Sequence, residues 1–175
     1  MRIVLTGPES SAKTTLCRDL SLHYKGRMIP EYARSYLEQK TNFEEYTMQD
    51  VLFIGHKQYS NSHEFKSPEI QFEDTDLVNI LVWLKLKFQY KSTELLNLLI
   101  SFKPQLYLVC IPDIPWTYDP MRESRFHQTK ILKEHLQLII ENNIQFQFIS
   151  GSGRQRINIA KFHIDNFMNK CNFAE

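Results

Sequence analysis

Short apolar runs alternate along the chain with longer stretches whose apolar positions recur every three to four residues. "RIVLTG" near the N-terminus is an apolar run closed by a glycine and predicts a buried first strand. "KTTLCRDLSLHY" follows, with Leu16, Leu20 and Tyr24 four apart on one helical face. "RMIPEYA" predicts a second strand that ends at Pro30, because proline has no N–H to give to a ladder. Residues 33–41 and 47–65 carry mixed charge in a helical pattern. "EIQFEDTD" alternates and then turns acidic, like a strand delivering carboxylates to its C-terminal end. "QLYLVC" (105–110) and "IQFQFIS" (144–150) predict two further buried strands. "DLVNILVW" reads as a buried helix, while "WLKLKFQYK" (83–91) alternates strictly and locally favours a strand. One long helix across both is the preferred reading.

Strands that alternate with helical stretches predict an α/β fold: a parallel sheet covered by helices on both faces. No repeat, low-complexity segment or Gly/Ser-rich linker divides the chain, so residues 1–170 are expected to form one domain with a short tail at 171–175. At 175 residues and 42% hydrophobic content, such a domain can bury a substantial core. Net charge is +1 and no long Lys/Arg run occurs, which argues against a nucleic-acid binder. No stretch reaches the roughly 18 apolar residues of a membrane span, and no leader pattern is visible. Cys17, Cys110 and Cys171 are odd in number and far apart, so neither a disulfide framework nor a C-x-x-C metal site is indicated. Reduced thiols in a cytoplasmic protein are expected. The six histidines show no ligand spacing, and no serine-nucleophile signature is present.

Candidate chemistry begins at "GPESSAKTT" (7–15), which follows the first strand and opens the first helix. The phosphate-loop pattern is G-x-x-x-x-G-K-[ST]. Gly7, Lys13 and Thr14 fall in register, and Ala12 stands where the second glycine belongs. In that context the backbone of Glu9, Ser10, Ser11 and Ala12, with Thr15 beyond, would wrap a phosphate at the helix N-terminus. Lys13 would reach the terminal phosphates and the Thr14 hydroxyl would hold Mg²⁺. Asp74 and Asp76 end an apolar run, where such proteins place the acid of the magnesium shell. Spacing alone does not decide between them; Asp74 is the better magnesium candidate, and Asp76 could equally cap the next helix. Glu31 follows Pro30 at the end of the second strand, where ligands bind in open α/β sheets. With Arg34 it would face the loop's crevice, and its carboxylate could take a proton from an attacking hydroxyl, the alternative being a surface acid. In "PDIPWTYDPMRESR" (112–125), Arg122 and Arg125 share a face if a helix starts near Pro120, as phosphate-neutralising arginines would. Trp116 could stack on a flat ring or anchor its loop. "SGSGR" (150–154) is a Gly-rich turn suited to a close approach by a ligand.

Together, "GPESSAKTT", "IPEYAR", "DTDL", "PDIPWTYDPMR" and "SGSGR" occur in the order seen in the ribosylnicotinamide kinase family, which the chain resembles over roughly residues 1–165. That family is the kinase module of bifunctional nicotinamide-nucleotide enzymes, with stand-alone relatives described as ATPases. The resemblance implies a P-loop nucleoside-triphosphate hydrolase/kinase fold, five parallel strands and a lid segment. It implies phosphate transfer from ATP, with GTP the alternative, to the 5′-hydroxyl of nicotinamide riboside in NAD biosynthesis. By position it assigns phosphate and Mg²⁺ to Lys13 and Thr14, and the metal shell to Asp74. It assigns the riboside side to Glu31, Tyr32 and Arg34, joined by Asp76 and Trp116. Arg122 and Arg125 fall in the lid, and Gly151 and Arg154 near the adenine. Ala12 departs from the family's loop glycine, and Tyr118 and Pro120 from its more acidic, glycine-containing lid. An adenylyltransferase partner would lie on another protein. The competing reading is a nucleotide-binding switch, or a kinase for another nucleoside; oligomeric state is not encoded in any motif.

Overall fold

The computed structural model describes residues 1–40, 46–64, 70–116 and 127–172, with side chains to residue 170. Five strands are formed: β1 (Arg2–Thr6), β2 (Arg27–Ile29), β3 (Gln71–Asp74), β4 (Leu106–Cys110) and β5 (Phe146–Ile149). They pair in parallel in the order β2-β3-β1-β4-β5, which places β1 at the centre. Around them lie α1 (Lys13–His23), α2 (Tyr32–Glu38), α3 (Met48–His63), α4 (Leu77–Phe88), α5 (Thr93–Ser101), α6 (Gln128–Glu141) and α7 (Gly153–Asn172).

The period-2 rule divides the strand side chains between two cores. Val4, Tyr107 and Val109 join the layer built with α2 to α6. Ile3, Leu5, Phe72, Leu106, Leu108 and Cys110 join the layer built with α1 and α7. Burying apolar surface on both faces requires strands that are apolar throughout, and β1 and β4 are buried along their whole length. β2 stops before Pro30, as its sequence requires. Cys17 and Cys110 are free thiols inside the second layer. Among the described residues no helix is long and apolar enough to cross a membrane.

One boundary differs from the sequence expectation. The helix expected over 76–91 ends at Phe88, because Gln89 takes a left-handed conformation with φ 52° and closes α4. Ser92 then caps a separate α5, its Oγ accepting from the Leu95 N–H. At the other end, α7 runs through Asn172. The alternation of "WLKLKFQYK" does not make a strand: Leu84 is buried in the α-helical layer, and packing there outweighs the local pattern.

A buried ionic cluster ties the edge of the sheet to its helices. Arg2 Nε donates to Glu73 Oε1 at 2.5 Å and Nη2 to Glu73 Oε2 at 2.8 Å, a bidentate pair. Arg2 Nη2 also reaches Asp76 Oδ2 at 3.3 Å, and Nη1 donates to the Phe102 carbonyl at 2.6 Å. The Tyr107 hydroxyl donates to Asp76 Oδ2. Burial by itself would lower the Arg2 pKa, but the charge of Glu73, the hydrogen bonding to it and the charge of Asp76 together outweigh that and raise it. Burial pushes the Asp76 carboxyl up to about 6, even beside Arg2.

Candidate active site

The loop between β1 and α1 is shaped by backbone constraints that name its residues. Gly7 has φ 127°, and a Cβ there would lie 2.4 Å from the Cys110 carbonyl oxygen, so only glycine fits. Ser10 and Ala12 also adopt positive φ, 56° and 57°. The left-handed conformation at position 12 gives a second reason for glycine in the motif, besides room for a phosphate. Ala12 carries a conformational strain that glycine would not. Ser11 Oγ and Lys13 Nζ both donate to the Pro8 carbonyl, at 2.7 and 2.8 Å, curling the loop over the start of α1. Lys13 thus rests on its own loop, at the N-terminus of α1 where anions are stabilised.

Ala12→Gly is expected to stabilise the fold by up to about 1.5 kcal/mol. That is the relief of left-handed strain, about 1–2 kcal/mol, less the extra chain entropy glycine loses, about 0.4–1 kcal/mol. Urea unfolding of the two proteins measures it, and a destabilised variant would show that the alanine is not strained.

The carboxylates converge from β2 and β3. Asp74 ends β3, paired in register with Leu5 of β1, and is almost fully buried. Burial raises its pKa, opposed by a hydrogen bond from the Thr14 side chain and by the charges of Lys13 and Arg34. Its Oδ1 is buried without a hydrogen-bond partner among the described residues. Glu31 sits at the N-cap of α2, half-buried. Burial pushes its carboxyl up to about 7; Asp74 and Glu9 add to this, while Lys13 and Arg34 oppose it. The charges of Asp74, Lys13, Arg34 and Glu9 therefore all act on Glu31, and those of Lys13 and Arg34 on Asp74 as well. Neighbouring acids pushed upward by burial are a mark of functional sites.

The donor set suits Mg²⁺: a hydroxyl touching a carboxylate whose other oxygen is buried and unpartnered. Mg²⁺ keeps several waters and takes few protein ligands beside substrate phosphates.

Asp76, expected on the acceptor side with a helix cap as its alternative, takes the cap position in the structure. It is 1% exposed, its Oδ1 accepts from the Val78 N–H as the cap of α4, and its Oδ2 is held by Arg2 and Tyr107. The separation comes from Thr75. A strand would send residues two apart to the same face, but Thr75 has φ 69°, so the chain turns between the two acids. A β-branched residue there is strained, and it is 2% exposed, held by its N–H to the Leu5 carbonyl.

The remaining candidates lie at the rim. Tyr32 is half-buried, and its ring lies 6.1 Å from that of Tyr36 and 6.4 Å from that of Phe53. Arg34 is exposed and pairs with Glu38 at 3.9 Å. Thr14 and Thr15 are exposed at the start of α1, and Trp116 is half-buried in the segment after β4. Arg122 and Arg125, with Tyr118 and Pro120, lie outside the described residues. Just after them, Gln128 at the start of α6 donates from Nε2 to the Glu9 carbonyl at 2.8 Å, so α6 touches the loop.

Gly151 and Arg154 lie just before a residue that the sequence did not single out, Arg156. Arg154 is exposed in the first turn of α7, whereas Arg156, 3% exposed, locks the turn. Its Nη1 donates to Asp113 Oδ1 and the Gly151 carbonyl, at 3.0 and 2.8 Å, and Nη2 to the Ile111 carbonyl at 2.7 Å. Asp113 Oδ2 accepts from the Gly151 N–H at 2.6 Å. The signal was an acid three residues past β4 and a second arginine in "GSGRQR"; neither announces its partner.

The family model described as AAA domain matches residues 2–156. The trifunctional NAD biosynthesis/regulator protein NadR of Salmonella typhimurium is 26% identical over 151 residues, covering 82% of this chain and 37% of that protein. The protein of the same description from Escherichia coli matches to the same extent. The chain thus spans about a third of the length of these curated relatives. A crystal structure of NadR in complex with NAD and AMP-PNP superposes with a TM-score of 0.78 at 24% identity, covering 96% of this chain and 49% of the other. NadR in complex with NR gives 0.71 at 26% identity, over 87% and 44%. A deoxyadenosine kinase from M. mycoides gives 0.68 at 11% identity, over 95% and 100%, a likeness of fold. The P-loop kinase fold and the resemblance to the ribosylnicotinamide kinase family are both borne out.

Proposed function

The chain belongs to the AAA domain family, and on that premise we propose that it is a small-molecule kinase. The proposed reaction transfers the γ-phosphate of ATP to the 5′-hydroxyl of nicotinamide riboside. The observation that carries the reading is the crevice itself. Glu31 and Asp74, both with raised carboxyl pKa values, face the phosphate loop within reach of the charge of Lys13. A protein that only held a nucleotide would need no second acid with a raised pKa there.

Each residue then has a role. Lys13 leaves the Pro8 carbonyl and neutralises the terminal phosphates, while the loop N–H groups of residues 9–13 bind them. Thr14 and Asp74 are the residues that would hold Mg²⁺, which supplies charge neutralisation between the β- and γ-phosphates when bound. Glu31, ionised, accepts the proton of the 5′-hydroxyl as its oxygen bonds to the γ-phosphorus and the bond to ADP breaks. Arg34 beside it steadies the carboxylate in its charged form. NR in the NadR complex supports nicotinamide riboside as the acceptor to test first.

A nucleotide-binding switch is the second reading, favoured by one observation: the alanine in a left-handed conformation at position 12 of the loop. ADP release from Mg·ATP, with and without nicotinamide riboside, separates the two. Release that depends on the riboside is expected. Slow release indifferent to it would overturn the acceptor assignment, and binding of Mg·ATP without any release would establish the switch.

A further inference from the structure

The two acids of the crevice come from different strands and repel each other, so a neutral tie between their backbones would hold them in place. α3 supplies it. Gln58 is 2% exposed, and its side-chain amide is used at both ends. Oε1 accepts from the Tyr32 N–H at 2.8 Å, and Nε2 donates to the Thr75 carbonyl at 3.3 Å, with a longer approach to the Pro30 carbonyl at 3.5 Å. One amide therefore grips the peptides on either side of Glu31 and the residue that follows Asp74. The Thr75 end is the strained left-handed turn, whose carbonyl is aimed at Gln58 by that conformation.

We propose that Gln58 is a positioning residue that sets the separation of the Glu31 and Asp74 carboxylates. The proposal rests on the kinase reading for its effect on turnover, though not for its effect on geometry. Glutamine suits the task because it combines a donor and an acceptor without charge. Glutamate would keep the acceptor for Tyr32 but lose the donor to Thr75 and add a third negative charge. Leucine would keep much of the volume and leave both backbone groups unpaired. The other charges that face Glu31 are Asp74 on β3, Lys13 on α1, Arg34 on α2 and Glu9 in the loop; Gln58 is the neutral group among these elements. α3 makes no bond to the phosphate loop through Gln58, so nucleotide binding should be spared.

The test compares Gln58→Leu and Gln58→Glu with the parent protein in ADP release, after thermal unfolding and Mg·ATP binding have shown each variant folded. Misplacement by about 1 Å costs on the order of 10²-fold in rate, so kcat should fall at least about tenfold, with KM for Mg·ATP within about twofold. Unchanged kcat in a folded variant overturns the proposal, as does a parallel loss of kcat and nucleotide affinity, the signature of general damage. A crystal structure of Q58L keeps the question decidable if the parent protein shows no riboside-dependent turnover, an outcome that refutes the kinase reading alone. Glu31 displaced from Asp74 supports the role of Gln58, and the two carboxylates in unchanged places refute it. Should Q58L not fold, Q58E answers both measurements.

Discussion

Glu31→Gln is expected to lower riboside-dependent turnover by on the order of 10²–10⁴-fold, the usual worth of a positioned general base. KM for Mg·ATP should change little, because Glu31 lies across the crevice from the phosphate loop. The parent enzyme should lose activity as pH falls through about 7, where Glu31 takes up its proton, and this acidic limb should vanish in the variant. Stability should move the other way. The folded carboxyl has its pKa raised from an ordinary value of 4.5, so its contribution is most favourable below 4.5 and is lost as pH rises towards 7. Above pH 7 the parent protein holds two repelling carboxylates, and Glu31→Gln should melt at a higher temperature in metal-free buffer. Retained turnover would pass the base role to another group; a variant that loses both activity and stability would mean that Glu31 is a structural acid.

The second large effect concerns the far side of Asp76. Arg2→Met should destabilise the fold by about 3–5 kcal/mol, the cost of leaving buried charges uncompensated. Glu73 is fully buried and Asp76 nearly so, and Arg2 is the cation bonded to both. Without it, the Asp76 carboxyl, already pushed up by burial, should bind a proton more readily in the folded chain than in the unfolded one. The loss should then be smaller at pH 5 than at pH 8, since stability held by raised carboxyl pKa values is present at low pH and lost as pH rises. Denaturant titrations at the two values measure it. A loss under about 1 kcal/mol, typical of an exposed pair, would show that water reaches the cluster.

What local pattern can carry, the amino-acid sequence determined by itself. Apolar runs of strand length separated by helical periodicity specify five strands and the alternation that makes them parallel, because burial on both faces requires those runs. The loop at Gly7, Lys13 and Thr14, and the acids that close β2 and β3, were legible for the same reason: each is a short pattern in a recognisable position relative to a strand end. The ring neighbours of Tyr32 and the half-burial of Trp116 were not, since a single aromatic letter does not say which layer it enters.

Tertiary structure decided the rest. "DTD" reads as two equivalent acids; the left-handed turn at Thr75 sends Asp74 to the phosphate loop and Asp76 to the core, where Arg2, 74 positions earlier, and Tyr107, 31 later, receive it. Gln58 looks like one more polar helical residue until α3 packs its amide between β2 and β3, and Arg156 like one more basic residue until Asp113 meets it 43 positions away. Periodicity in sequence records which face of an element is buried. The partner of a buried polar group is chosen by chain segments that meet only after folding, and the free energy that selects it is the cost of leaving that group unpaired.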